Sequence, residues 1–152
     1  MIKIRQASEE DIYLINYLEE HSFEECDRFS FKELKSYFYQ SNGMCIIIEY
    51  NSLPAGYALA VKMTSKKATL VSICIDKKYQ GKGIGKTLLF EIDNIIQQNG
   101  FTESVLETRE INNKMINMCE KEGYVFLKKV IDYYPDAING NKNAIKMIKR
   151  FI

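Results

Sequence analysis

At 152 residues, 46% hydrophobic and 27% charged, the chain has the size of one domain (1–152) with a real core and is too short for two comfortable ones. Its net charge of +1 gives no global field for nucleic acid or a membrane surface, and no run approaches the roughly 18 apolar residues a membrane span requires. Four scattered cysteines without a C-x-x-C pair, and a single histidine, argue against a zinc site or a disulfide scaffold; with no signal-peptide core in MIKIRQASEED, a cytoplasmic location is expected.

In chain order, Ile2-Lys3-Ile4-Arg5 alternates like a half-buried strand, and Ser8-Glu9-Glu10-Asp11 reads as a helix start. The helix that follows carries Ile12, Ile15 and Leu18 on its apolar stripe with Leu14 beside them, and His21 near its end, where a structural or solvated role is expected. Glu24-Glu25-Cys26-Asp27 gathers three carboxylates on a loop, either a solvated turn or an attractor for a cationic amine. Ser30-Phe31-Lys32-Glu33 is a capping box, opening a second helix to about Gln40.

Met44 to Tyr50, Ala55 to Met63 and Ala68 to Asp76 are β-rich runs separated by Asn51-Ser52-Leu53-Pro54 and Ser65-Lys66-Lys67, which predicts an antiparallel meander. Next, Gly81, Gly83 and Gly85 lead into a helix whose apolar face is Ile84, Leu88, Leu89, Ile92, Ile95 and Ile96, stopped by Gly100. Glycines there permit φ > 0 and close approach of a ligand, and the helix start offers unpaired N–H groups: an anion cradle for a phosphate or pyrophosphate. A Walker loop would need Gly at position 80, which is Gln, and a dinucleotide fingerprint would need Gly at 86, which is Lys. Glu103 to Thr108 reads as a strand lying parallel beside Ala68 to Asp76. Asn112 caps a further helix with Met115, Ile116 and Cys119 inward and Gly123 at its end. Tyr124 to Ile131 and Ala144 to Phe151 are two last strands, joined by a loop with Tyr133-Tyr134-Pro135-Asp136.

Gln80-Gly81-Lys82-Gly83-Ile84-Gly85 resembles the [QR]-x-x-G-x-[GA] motif of the GNAT superfamily of acetyl-CoA-dependent N-acetyltransferases. Leu106-Glu107-Thr108-Arg109, Asn112, Gly123-Tyr124, Asp132-Tyr133-Tyr134 and Ala144-Ile145-Lys146-Met147 then stand in the order of the RimI-like ribosomal-protein-alanine N-acetyltransferases within it. The resemblance implies an α/β (α+β) GNAT fold: a mostly antiparallel sheet of about seven strands, about four helices, and a parallel, splayed pair at strands four and five. It further implies that amides of Gln80, Gly81, Lys82, Gly83, Ile84, Gly85 and Lys86 hold the pyrophosphate of acetyl-CoA. The main chain at Ile73, Cys74 and Ile75 would take the pantetheine and acetyl group, with Asn112 and Cys119 against the arm from the other side. No metal is implied. Lys77, Lys78, Lys82 and Lys86 are candidates for outer phosphate contacts.

Acetyl transfer needs an unprotonated amine, whereas an alkylammonium titrates near ~10 and an α-ammonium near ~8. Glu107 stands where the RimI-like family keeps its proposed base, acting through water; the alternative is a Glu paired with Arg109, on the same strand face, or with a lysine. The family's usual acid for the departing thiolate is a Tyr where this chain has Cys119, leaving Cys119 as acid or as packing, with Tyr124, Tyr133, Tyr134 or water as substitutes. The expected function is N-acetyl transfer in a direct ternary complex, by a monomer or homodimer. The expected acceptor is a protein or peptide N-terminus ahead of a small-molecule amine; a catalytically silent acyl-CoA-binding module is the reading from another class.

Overall fold

The computed structural model describes residues 1–22 and 27–151. Strand β1 (Ile2–Gln6) leads through a 3₁₀ turn, Glu9–Asp11, into α1 (Ile12–Glu20) and α2 (Phe31–Ser41). Then come β2 (Cys45–Tyr50), β3 (Leu53–Lys62), β4 (Lys67–Ile75), a 3₁₀ turn at Lys77–Tyr79, α3 (Ile84–Gln98), β5 (Glu103–Arg109), α4 (Asn113–Lys121), β6 (Val125–Val130) and β7 (Ala144–Arg150). The expected capping box closes the start of α2: Ser30 Oγ accepts from Glu33 N–H (3.1 Å) and Glu33 Oε1 from Ser30 N–H (2.9 Å). At the first helix, Ser8 and Asp11 close a 3₁₀ turn first, so the α-helix begins four residues later than Ser8.

All seven strands form one sheet in the order β1-β2-β3-β4-β5-β7-β6. Neighbours are antiparallel except β4 and β5, the parallel pair that the crossover through α3 requires. The α/β class, the strand number and the four flanking helices agree with the sequence reading. The last strand, however, lies between β5 and β6 and leaves β6 at the edge.

Two apolar layers sandwich the sheet. Leu88, Leu89, Ile92 and Ile96 of α3 and Cys119 of α4 pack with Ile46, Ile48, Ala58 and Ala60 on one face. Ile15 and Leu18 of α1 and Leu34 of α2 pack with Ile47, Tyr57 and Leu59 on the other. Each such aliphatic side chain withdrawn from water contributes about 1.5–3 kcal/mol, and this burial fixes which strand face meets which helix pair.

Strand β4 changes faces partway along. Ala60 pairs with Leu70 and Leu59 with Ser72, so Val71 has no partner on β3 and forms a bulge. Before it, Ala68 and Leu70 point into the α3–α4 layer; after it, Cys74 points into the α1–α2 layer while Ile73 and Ile75 pack on the α3–α4 side. Only Lys67, Ala68 and Thr69 pair with β5. Beyond the bulge the two strands part, and the expected splay is present.

Candidate active site

A cleft of about 880 Å³ occupies the gap where β4 and β5 diverge. Its lining comes from both faces of the sheet. Leu70, Ile73, Leu106, Thr108, Asn112 and Met115 belong to the α3–α4 side. Phe29, Tyr37, Glu107, Arg109, Tyr133 and Tyr134 line the α1–α2 side. An arm entering from one face can therefore meet an acceptor arriving at the other.

The glycine loop lies past the end of β4, outside this lining. Asp76 Oδ1 accepts from Lys78 N–H (3.1 Å) to start the 3₁₀ turn, and Gln80 Nε2 donates to Ile75 O (2.9 Å), tying the loop back to the strand. Gly81 and Gly83 have φ of +82° and +75°, with open space where a Cβ would stand. Gly85 serves differently: a Cβ there would come within 3.2 Å of Met118 Sδ, so its role is close packing of α3 on α4. No side chain caps the start of α3 and no acidic residue sits in its first turn, so those N–H groups face outward unopposed. Two of the loop lysines lean on rings, Lys82 over Tyr50 and Lys78 over Tyr79.

Asn112 caps α4 as expected, its Oδ1 accepting from Met115 N–H (3.3 Å), while its Nδ2 donates to Thr108 Oγ1 (3.3 Å) at the cleft wall. Ile73 lines the cleft; the Cys74 side chain points away from it into the α1–α2 layer, its thiol pushed well up by burial.

Glu107 is 36% exposed on the cleft floor. Its Oε1 accepts from Tyr133 Oη (2.5 Å), and Lys146 Nζ lies 3.5 Å from Oε2. The hydrogen bond to Glu107 pushes the Tyr133 hydroxyl up to about 12, so it remains a donor at neutral pH. Glu107 thus pairs with a lysine and a tyrosine, not with Arg109. Arg109, 5% exposed, has Nε 2.6 Å from Asp27 Oδ1 and its guanidinium 4.3 Å from the Tyr134 ring centre. It therefore joins the segment between α1 and α2 to the loop between β6 and β7, the two walls of the groove. Glu24, Glu25 and Cys26 of the expected acidic loop lie outside the described residues; Asp27 is spent on this bridge. Lysine at 109 would keep the charge and lose the planar fork and the stacking. Arg109→Lys is expected to raise the acceptor KM about tenfold while that of acetyl-CoA stays put, which steady-state kinetics on both substrates would reveal.

Two expected acids do not reach the cleft. Cys119 is fully buried one turn beyond Met115, and burial pushes its thiol up to about 12. Tyr124 is buried too; its hydroxyl donates to Asp93 Oδ1 (2.7 Å), lies 2.8 Å from Ser104 Oγ, and is raised by burial. Asp93 also accepts from Lys149 Nζ (3.1 Å), so this cluster ties α3 to β5 and β7. His21 stacks on Tyr17 at the surface, with Nδ1 2.7 Å from Tyr17 O.

A second polar cluster was not foreseen. Glu19 of α1 is completely buried at the cleft wall: Oε1 accepts from Tyr57 Oη (2.6 Å) and Ser72 Oγ (3.3 Å), Oε2 from Phe29 N–H (2.9 Å). Burial raises its carboxyl. Its position was readable, since 19 follows Ile15 by four and falls on the stripe that faces inward.

The profile of the acetyltransferase (GNAT) family matches residues 8–124, more than half of the chain. The chain belongs to this family. It is an N-acetyltransferase by that membership and by its named relatives. A [Ribosomal protein bS18]-alanine N-acetyltransferase of Haemophilus influenzae is 34% identical over 101 residues, covering 66% of this acetyltransferase and 67% of the relative. The crystal structure of the ribosomal-protein-S18-alanine N-acetyltransferase from Escherichia coli superposes with a TM-score of 0.86 at 24% identity, covering 99% of this chain and 94% of that one. The NatC complex bound to Gag peptide and CoA gives a TM-score of 0.85 at 22% identity, with 99% of each chain covered. At these identities the two structures speak to the fold. Among the described residues no helix is long and apolar enough to cross a membrane, and no His, Cys, Asp and Glu group is arranged to hold a metal.

Proposed function

We propose that this acetyltransferase moves the acetyl group of acetyl-CoA onto the α-amine of a protein or peptide, and that Glu107 draws the proton from that amine. The observation that carries this reading is the cleft through the sheet. It joins Asn112 and Ile73, on the expected pantetheine path, to an acceptor groove with Glu107 on its floor. The amides from Gly81 to Lys86 supply the pyrophosphate seat, with no acidic side chain in the first turn of α3 to oppose a dianion, while the Gln80 N–H is turned back onto Lys77 O. The similarity to a relative named for acetylating an alanine of ribosomal protein bS18 favours a protein or peptide over a small amine.

In this mechanism Tyr133 and Lys146 hold the Glu107 carboxylate against the cleft, and a water between carboxylate and ammonium carries the proton. The free amine attacks the thioester carbonyl, the C–S bond breaks, the new amide nitrogen gives its remaining extra proton to water, and the thiolate is protonated from solvent. Cys119, fully buried, takes no part in this reading. The test is thiol release with a library of peptide N-termini beside a polyamine and amino-acid panel, with Cys119→Ala in parallel. Turnover on peptides, within about threefold in the variant, is the expected result. Acetyl-CoA binding with no turnover on any amine would leave a silent acyl-CoA-binding module, and a hundredfold loss in Cys119→Ala would return the thiol to the acid role.

A further inference from the structure

Among the described residues a single buried side-chain nitrogen or oxygen has no hydrogen-bond partner: Nε of Arg28. Arg28 lines the acceptor side of the cleft between Asp27 and Phe29. Every described carboxylate of that wall is engaged elsewhere. Glu19, near enough for the Arg28 charge to favour its ionised form, has its oxygens filled by Tyr57, Ser72 and Phe29. Asp27 is bound to Arg109, and Glu107 to Tyr133 and Lys146. Glu33 Oε1 accepts from Ser30 N–H. A guanidinium has donors only, so its one buried N–H left unmet is a standing cost. Arg28 ties no described elements together in return.

We propose that Arg28 reads the acceptor, swinging its guanidinium onto a carboxylate that the acceptor carries close to the reacting amine. This rests on the amine-acetylating role proposed for the cleft. A carboxylate suits the planar fork best, with two parallel N–H···O contacts and opposite charge. The rest of the wall permits it. Asp27 and Glu107 are each neutralised by a cation of their own, Glu19 is sealed, and Lys62 adds a positive charge to the lining. Such a carboxylate has two sources: an Asp or Glu side chain next to a peptide's first residue, or the α-carboxylate of a free amino acid.

The experiment measures kcat/KM for two matched pairs, peptides differing only by Asp against Asn at the second position, and free amino acids against their amides. The carboxylate member of one pair is expected to be favoured at least about tenfold, mainly through KM. A split in the peptide pair assigns the side chain; a split in the amino-acid pair assigns the α-carboxylate. Arg28→Gln is expected to bring that ratio close to one, Arg28→Lys to keep part of it, and Arg28→Glu to shift preference toward Lys at the second position. Equal rates within both pairs in the unaltered protein, or a ratio that survives Arg28→Gln, would overturn the assignment. Melting curves identify a variant that fails to fold, in which case the unaltered protein and Arg28→Lys decide. Transfer without discrimination sinks the Arg28 role alone, whereas no transfer to any acceptor removes the cleft's proposed reaction and this role with it.

Discussion

Glu107→Gln is expected to lower kcat by about two to four orders of magnitude while leaving the affinity for acetyl-CoA unchanged. Glutamine nearly matches the shape of the side chain it replaces and still accepts from Tyr133, but it cannot take a proton. The proposed pyrophosphate seat is main chain beyond the end of β4, outside the cleft where Glu107 sits, so ground-state binding of the carrier should not notice the change. Lys146 loses a charged partner at 3.5 Å, yet it is 30% exposed and water can replace it. Single-turnover thiol release combined with calorimetric titration separates the two effects. A loss under threefold would move the proton to another acceptor, and a parallel loss of acetyl-CoA affinity would make Glu107 a structural residue.

Removing the buried Glu19 should instead strike stability. Glu19→Ala strips the acceptor from Tyr57 Oη, Ser72 Oγ and Phe29 N–H and leaves a hole beside the bulge. Tyr57 and Ser72 lie 3.0 Å apart and can bond each other, so the expected cost is about 3 kcal/mol, not three full penalties. In a domain of this size that lowers Tm by roughly 6–12 °C, measurable by calorimetry. Glu19→Gln should fold well: its oxygen can face Phe29 N–H while its amide donates to the two hydroxyls, which can turn to accept.

The same pair of variants reads the pH dependence. Burial raises the folded-state pKa of Glu19, so the native protein holds that proton more tightly than the unfolded chain does. The stability from this proton is complete below the unfolded value near ~4.3 and is lost as pH rises through the folded one. Asp93 is raised by burial in the same sense. The unaltered protein should therefore lose Tm as pH climbs out of the acidic range, and Glu19→Gln should lose less. Parallel Tm profiles would show that Glu19 does not titrate differently on folding.

Local signals carried most of the architecture. The Ser30–Glu33 box, the stop at Gly100 with φ of +90°, the cap at Asn112 and the glycine turn each sit where a few adjacent residues decide the backbone. The parallel β4–β5 pair followed from a strand, a helix and a strand in succession. What stayed hidden depends on distant partners. The run Leu70 to Ile75 is almost uniformly apolar, so its alternation could not disclose the bulge at Val71; only the register with β3 does. Two β-like runs at the end of the chain read as neighbours in either order, and nothing local places β7 inside β6. Glu19 stands on the inward stripe of α1, but its partners Tyr57 and Ser72, like the cleft wall around Arg28, come from strands far along the chain. Cys119 sat on the expected inward face of α4, but which inward positions open on the cleft and which on the core depends on how α4 lies against α3.

The insertion of the final strand between two earlier ones bears on how the protein is made. A ribosome delivers the amino-terminal half first, and the slot between β5 and β6 stays empty until residues 144–150 have left it. The partner strand for Glu107, and the lysine beside it, follow every other strand of the sheet in chain order. A nascent chain can thus complete its glycine turn before the strand beside Glu107 is in place, and removing residues 144–150 would cost the interior of the sheet, not an edge.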